Sequence, residues 1–162
     1  VTTGSPGSGP HAVQDFYPDD AAHCYGCGRL NAVGLRIRTF WEGDETVTRF
    51  TPASHHTAIP GSVYGGMVAS LIDCHGTGSA SGAALREEGR EIGDGPSPRF
   101  VTAALKVDFL KPTPLGPELE VRGRIVEIKG RKIVVESTLS ADGVVTAKGQ
   151  VVAVRIREDP PE

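Results

Sequence analysis

The chain has 162 residues, of which 38% are apolar and 23% charged, and its formal net charge is −3. At this length one domain with a sizeable core is the simplest organisation. The acidic balance argues against a broad nucleic-acid surface, which needs an excess of Lys and Arg on one face, and no run approaches the ~20 apolar residues of a membrane span.

Residues 1–22 read as a flexible leader, 23–157 as the folded domain and the charged, Pro-rich 158–162 as a frayed tail. Val1 to Pro10 carry no charge and no apolar run, so they match neither a signal peptide nor a transit peptide. Cysteines stand at only three positions, Cys24, Cys27 and Cys74. An odd count without a disulfide framework points to a reducing compartment, the cytoplasm. Cys24 and Cys27 have the C-x-x-C spacing of zinc ligands, but a structural zinc needs four. No second pair follows, and His23, His55 or His56 would have to complete the set, so no metal is expected.

Gly34 to Trp41 alternates, with Leu35, Ile37 and Thr39 against Arg36, Arg38 and Phe40, and predicts a first strand. Glu42-Gly43-Asp44 is turn chemistry, and Thr46 to Phe50 predicts the second strand of a hairpin. A loop follows from Thr51 to Ser62. From about Val63 the pattern becomes helical: Val68, Leu71, Ile72 and His75 make one apolar stripe at i, i+3, i+4, i+7. A neighbouring face carries Gly66, Ala69, Asp73, Gly76 and Ala80, all small except the single carboxylate. Cys74 lies about 100° round the helix from Asp73 and is not read as a nucleophile.

Arg86 to Arg99, charged and rich in Gly and Pro, predicts an exposed loop that could cover a pocket. The remainder reads as β structure. Phe100 to Lys111 places Ala103, Leu105, Val107 and Phe109 on one face; Leu119 to Ile128 and Ile133 to Leu139 follow. Asp142-Gly143 is a strong hairpin signal, and Val145 to Ile156 closes the set. Two strands, one helix and four long strands in series predict an α+β architecture, a curved antiparallel sheet wrapped around one long central helix. That is the hotdog fold.

Pro60-Gly61-Ser62-Val63-Tyr64-Gly65-Gly66 followed by Leu71-Ile72-Asp73 resembles the signature of hotdog acyl-CoA thioesterases of the phenylacetate-degradation type. Cys24-Tyr25-Gly26-Cys27-Gly28 with Asn31 and Gly34-Leu35 is similar to the start of a subset of that family, and Thr102 to Pro112 is similar to its first strand after the helix. The family usually opens the helix with His-Gly-Gly and places a carboxylate nine positions after the histidine. Here those positions are Tyr64 and Asp73.

The resemblance implies hydrolysis of acyl-CoA thioesters with no cofactor beyond the coenzyme A of the substrate. It implies a site made of Asp73, Gly66, Gly65, Tyr64 and Thr102, with His56, His55, Ser62 and Val63 lining the substrate. Glycines at a helix N-terminus leave unpaired N–H groups open to an oxyanion. Asp73 lies seven residues, or roughly 10 Å, beyond Gly66, too far for both to meet one carbonyl on a straight helix. The arrangement implied by the family is a dimer, or dimer of dimers, in which Asp73 of one chain faces the glycines of the other. Asp73 would act as general base or as nucleophile. Two other readings stand beside this one: a non-catalytic module that binds acyl-CoA or an acylated carrier, given Tyr64 in place of histidine, and a hotdog dehydratase or hydratase. Arg99, Lys106, Lys111 and Arg131 are basic side chains that the phosphates of coenzyme A could meet.

Overall fold

The computed structural model describes residues 10–157. One helix, α1 (Gly65–Glu87), lies across a six-stranded antiparallel sheet. The strands are β1 (Phe40–Glu42), β2 (Glu45–Phe50), β3 (Phe100–Phe109), β4 (Leu119–Lys129), β5 (Lys132–Ala141) and β6 (Val144–Arg155). Their order in the sheet is β1-β2-β4-β5-β6-β3. The expected hotdog architecture is therefore the one observed. Residues 1–9 and 158–162, most of the expected leader start and all of the tail, lie outside the described residues.

The stripe read from the sequence is the face that α1 turns to the sheet. Val68, Leu71, Ile72 and His75 are all buried, against Leu119, Val121, Val135, Leu139, Ala147 and Val151. The helix is poor in intrinsic propensity, since Gly76, Gly78 and Gly82 interrupt it. Packing explains them. A Cβ on Gly76 would stand 2.5 Å from the Cβ of Val151, so the glycine lets helix and sheet approach. Gly76 and Ala80 are thus buried, and the half-open small-residue face is shorter than expected: Gly66, Ala69, Ser70 and Asp73.

Three boundaries differ from the sequence reading. Gly34 to Thr39 has the expected alternation, with Ile37 and Thr39 buried and Arg36 and Arg38 exposed, but it joins no sheet ladder. Its N–H groups bond instead to the cysteine loop, Leu35 to the Tyr25 carbonyl and Ile37 to the Gly26 carbonyl, so the strand begins only at Phe40. Residues 10–22 were expected in the leader, yet Ala12, Val13, Gln14, Tyr17 and Ala22 are buried. Gln14 holds Thr39 twice, accepting its N–H at 2.8 Å and donating to its Oγ1 at 2.9 Å. The third difference is in β3. The pairing with β6 slips between Thr102 and Ala104, leaving Ala103 as an extra residue. Thr102 pairs with the buried Ala153, and Leu105, Val107 and Phe109 pair with Val151, Gly149 and Ala147. Thr102 therefore shares the face of Leu105, Val107 and Phe109, and Ala103 drops out of it.

The 86–99 segment is mostly exposed, as expected, but it is tied to the far end of α1. Ser97 N–H bonds the Phe16 carbonyl, Ser81 Oγ donates to the Pro98 carbonyl, and Glu88 pairs with Arg90 and Arg155. Those contacts do not place it over the start of the helix.

Candidate active site

The chain enters α1 under restraint. Val63 N–H bonds the Thr113 carbonyl at 2.8 Å and Tyr64 N–H the His56 carbonyl at 3.0 Å. Met67 and Val68 then both donate to the Tyr64 carbonyl. No side chain caps this end and no acidic residue occupies the first turn. The N–H groups of Gly65 and Gly66 consequently have no acceptor among the described residues. They form an open, positively polarised end. Tyr64 is 55% exposed, and its ring folds back along the helix: a Cβ on Gly66 would fall 2.1 Å from the Tyr64 hydroxyl oxygen. Glycine at 66 is what allows the phenol to stand beside the free N–H groups.

Asp73 stands two turns further on, half-buried, on the open face of α1. Thr102 Oγ1 donates a hydrogen bond to Asp73 Oδ1, which fixes the carboxylate against β3. Asp73 Oδ2 has no partner among the described residues. The slip at Ala103 leaves Thr102 on the same sheet face as Leu105, Val107 and Phe109, the face that α1 covers.

Beside the helix start is a cleft of about 300 Å³ lined by Val63, Gly65, Val68, Phe109, Lys111 and Thr113, among others. Val63 is in it; His55, His56 and Ser62 are not. His56 serves the loop instead, accepting the Ala53 N–H at Nδ1 and stacking with Phe50. Burial holds its pKa below the ordinary histidine range, with the neighbouring His55 charge adding to that. His55 is exposed against the His56 ring, and Ser62 N–H closes a turn on the Ile59 carbonyl. Of the basic side chains, Lys111 borders the cleft, Lys106 pairs with Asp108 on the other sheet face, Arg131 holds the Arg155 carbonyl, and Arg99 lies over Tyr17. A larger hollow of about 510 Å³ is on the sheet face away from α1, among alternating charges including Lys106, Asp108, Arg122 and Glu136. It has no wall from α1.

Two clusters behind Asp73 were not resolved from sequence. His75, wholly buried, meets Thr46 Oγ1 with Nε2 at 3.2 Å and Thr48 Oγ1 with Nδ1 at 3.0 Å. Burial pushes its pKa down to about 3. A histidine kept neutral in the fold but protonated near pH 6.5 when unfolded contributes stability above 6.5 that is lost as pH falls toward 3. At pH 5 that loss amounts to about 2 kcal/mol. Thermal unfolding of the wild type and of His75→Gln between pH 7 and pH 5 should show the steeper fall in the wild type; parallel curves would refute the assignment.

The other cluster is of thiols. The sulfurs of Cys24, Cys27 and Cys74 all lie within 4.8 Å of one another. A Cβ on Gly26 would be 2.3 Å from Cys74 Sγ, so glycine there lets the loop seat on the helix. Bonds from the Cys27 and Cys74 thiols, and from the Cys27 and Gly26 N–H groups, lower the Cys24 pKa, whereas the bond to Cys24 pushes Cys27 up to about 11. The sequence signal was the third cysteine, which helical phase alone places away from Asp73 without saying what it meets.

A family model described as the thioesterase superfamily matches residues 60–148, which contain the whole of α1, β3, β4 and β5. The chain belongs to the thioesterase superfamily. A thioesterase superfamily protein from Shewanella loihica is 49% identical, with 86% of this chain and 98% of that one covered and a TM-score of 0.66. The acyl-coenzyme A thioesterase THEM4 of Rattus norvegicus is 31% identical over 130 residues, covering 79% of this chain and 50% of that protein. The chain thus spans about half the length of the curated relatives it matches. The E. coli PaaI protein from the phenylacetic acid degradation operon shares the fold at 18% identity and a TM-score of 0.61, covering 76% of this chain and 81% of that one.

Proposed function

We propose that this member of the thioesterase superfamily hydrolyses acyl-CoA thioesters. The observation that carries the reading is the pairing, on one helix, of an open N-terminus at Gly65 and Gly66 with a carboxylate, Asp73, oriented by Thr102. The relatives named acyl-coenzyme A thioesterases support coenzyme A as the carrier. No resident cofactor enters the scheme. Water attacks the thioester carbonyl while Asp73 takes its proton; the oxyanion is held by the Gly65 and Gly66 N–H groups with the Tyr64 phenol beside them. Collapse breaks the C–S bond, and the thiolate leaves with the proton returned from Asp73. If Asp73 attacks directly instead, a mixed anhydride forms as the CoA thiolate leaves, and water opening it at the Asp73 carbonyl during a single turnover in ¹⁸O-water leaves label in the Asp73 carboxylate.

The two halves of this machinery are separated by about 10 Å along α1, so they serve one carbonyl only if a second chain supplies one of them. β3 is an edge strand whose apolar residues are open: Leu105 is 41% and Phe109 56% exposed, and Tyr64 joins them at 55%. A second copy pairing at this edge would set the two α1 helices side by side, Asp73 of one near Gly65 and Gly66 of the other. The acyl group would enter the Val63–Phe109 cleft, and dimers could associate further into tetramers. Three free thiols suit the reducing cytoplasm.

The experiment is turnover of acyl-CoAs of graded chain length, aliphatic and aromatic, by the purified protein. Tight binding without hydrolysis across the panel would instead favour a non-catalytic acyl-CoA module, the reading suggested by tyrosine at position 64. Tyr64→Phe is expected to lower kcat about tenfold with KM little changed, since one exposed donor is lost where a preorganised one is worth more. An unchanged kcat would remove Tyr64 from the oxyanion site.

A further inference from the structure

The thiols of Cys24, Cys27 and Cys74 take no part in that chemistry. We propose that they form a binding site for a d10 cation held by three sulfurs between the N-terminal loop and α1, either three-coordinate Cu⁺ or Zn²⁺ with water in an open fourth position.

Three features of the geometry support it. The first is convergence: sulfurs bound to one ion at about 2.3 Å stand roughly 4 Å apart, and these three lie within 4.8 Å of one another. They come from two separate elements, a loop and a helix, so their meeting is not a by-product of local sequence. The second is a built loop. Gly28 N–H closes on the Cys24 carbonyl at 2.7 Å, Leu35 and Ile37 N–H groups hold the Tyr25 and Gly26 carbonyls, and Gly26 leaves the space that Cys74 Sγ fills. A loop fixed by its own backbone bonds holds the sulfurs in place, the kind of support that such sites require.

The third feature is independent of the cysteines. Tyr17, 2% exposed, has a hydroxyl with no hydrogen-bond partner, and one nitrogen of Arg99 is likewise buried and unpartnered. The Arg99 guanidinium sits 4.8 Å over the Tyr17 ring, and Tyr17 belongs to the same buried cluster as Cys27 and Cys74. Unpaired buried polar groups of this kind are costly. Three thiolates around Zn²⁺ or Cu⁺ leave a net negative complex, for which the Arg99 guanidinium supplies the counter-charge. Binding releases the thiol protons to solvent and changes no oxidation state. Cys24, half-buried, leaves an entry path. The sequence lacks a second C-x-x-C, and the expectation of no metal followed from that; Cys74 supplies the third sulfur from α1.

The test uses the full chain, purified under reducing conditions without chelator. Elemental analysis should find about one zinc or copper per chain and so identify the ion. Co²⁺ added anaerobically to the reduced, metal-stripped protein should give a near-ultraviolet thiolate-to-metal charge-transfer band. Cys74→Ser should lose both signals, and Cys24→Ser, at the half-exposed position, repeats the test if the buried variant does not fold. Wild-type protein that is folded, reduced and metal-free, with no charge-transfer band, overturns the proposal. So does fresh protein whose mass shows two hydrogens lost to a Cys24–Cys27 disulfide. None of these readouts depends on hydrolysis, so the site stands or falls separately from the thioesterase reading.

Discussion

Asp73→Asn is expected to lower kcat for acyl-CoA hydrolysis by about a thousandfold while leaving fold and assembly unchanged. The amide keeps the shape of the carboxylate and can still accept the hydrogen bond of Thr102 Oγ1, so the packing of α1 on β3 survives. What disappears is the capacity to take a proton from water or to attack the carbonyl, and losing such a group typically removes 10²–10⁴ in rate. KM should move little, because the carboxylate is lost from the chemical step rather than from ground-state binding. Stopped thioester assays with circular dichroism as a control decide the matter. Retention of kcat within a few-fold would take the chemistry away from Asp73.

Leu105→Glu is expected to convert the protein to a monomer and to abolish turnover together. In the isolated chain Leu105 is 41% exposed on the edge strand, so a carboxylate there costs the subunit little. Against a second copy of the same edge it would be buried without a partner, a penalty that reaches several kcal/mol for a charge. If the oxyanion groups near Gly65 and Gly66 come from the neighbouring chain, the monomer keeps Asp73 and loses its counterpart. Sedimentation and activity measured on the same samples give the answer. A monomer with full turnover would mean that one chain holds the whole site, and a dimer that persists would move the interface elsewhere.

Much of this architecture is legible in the residues. The Val68-Leu71-Ile72-His75 stripe fixes the buried face of α1, and Asp142-Gly143, with both φ angles positive at 49° and 77°, makes the hairpin its sequence announces. The less legible parts have particular physical causes. Alternation from Gly34 to Thr39 reports which side chains are buried, but not whether the backbone finds a strand or a loop to bond with. The burial of Ala12 to Tyr17 depends on Gln14 meeting Thr39, a contact across 25 residues that no local pattern encodes. The same holds for Cys74, whose partners arrive from a loop nearly fifty positions earlier. His55 and His56 stand next to the helix start in sequence, yet the turn at 53–56 directs the ring of His56 toward Phe50 rather than into the cleft.

The extra residue at Ala103 has a consequence for how this strand can change. Strict alternation would send Thr102 and Leu105 to opposite sides of the sheet; the slip in pairing sends both to the same side. The position that steadies the carboxylate and the open apolar positions of the proposed dimer edge are therefore kept in phase by a single residue. Removing it would leave ten or so strand residues to choose which half of the ladder to preserve, and either choice turns one group outward. Substitutions along β3 can retune specificity or association separately, whereas a one-residue deletion cannot alter one without disconnecting it from the other.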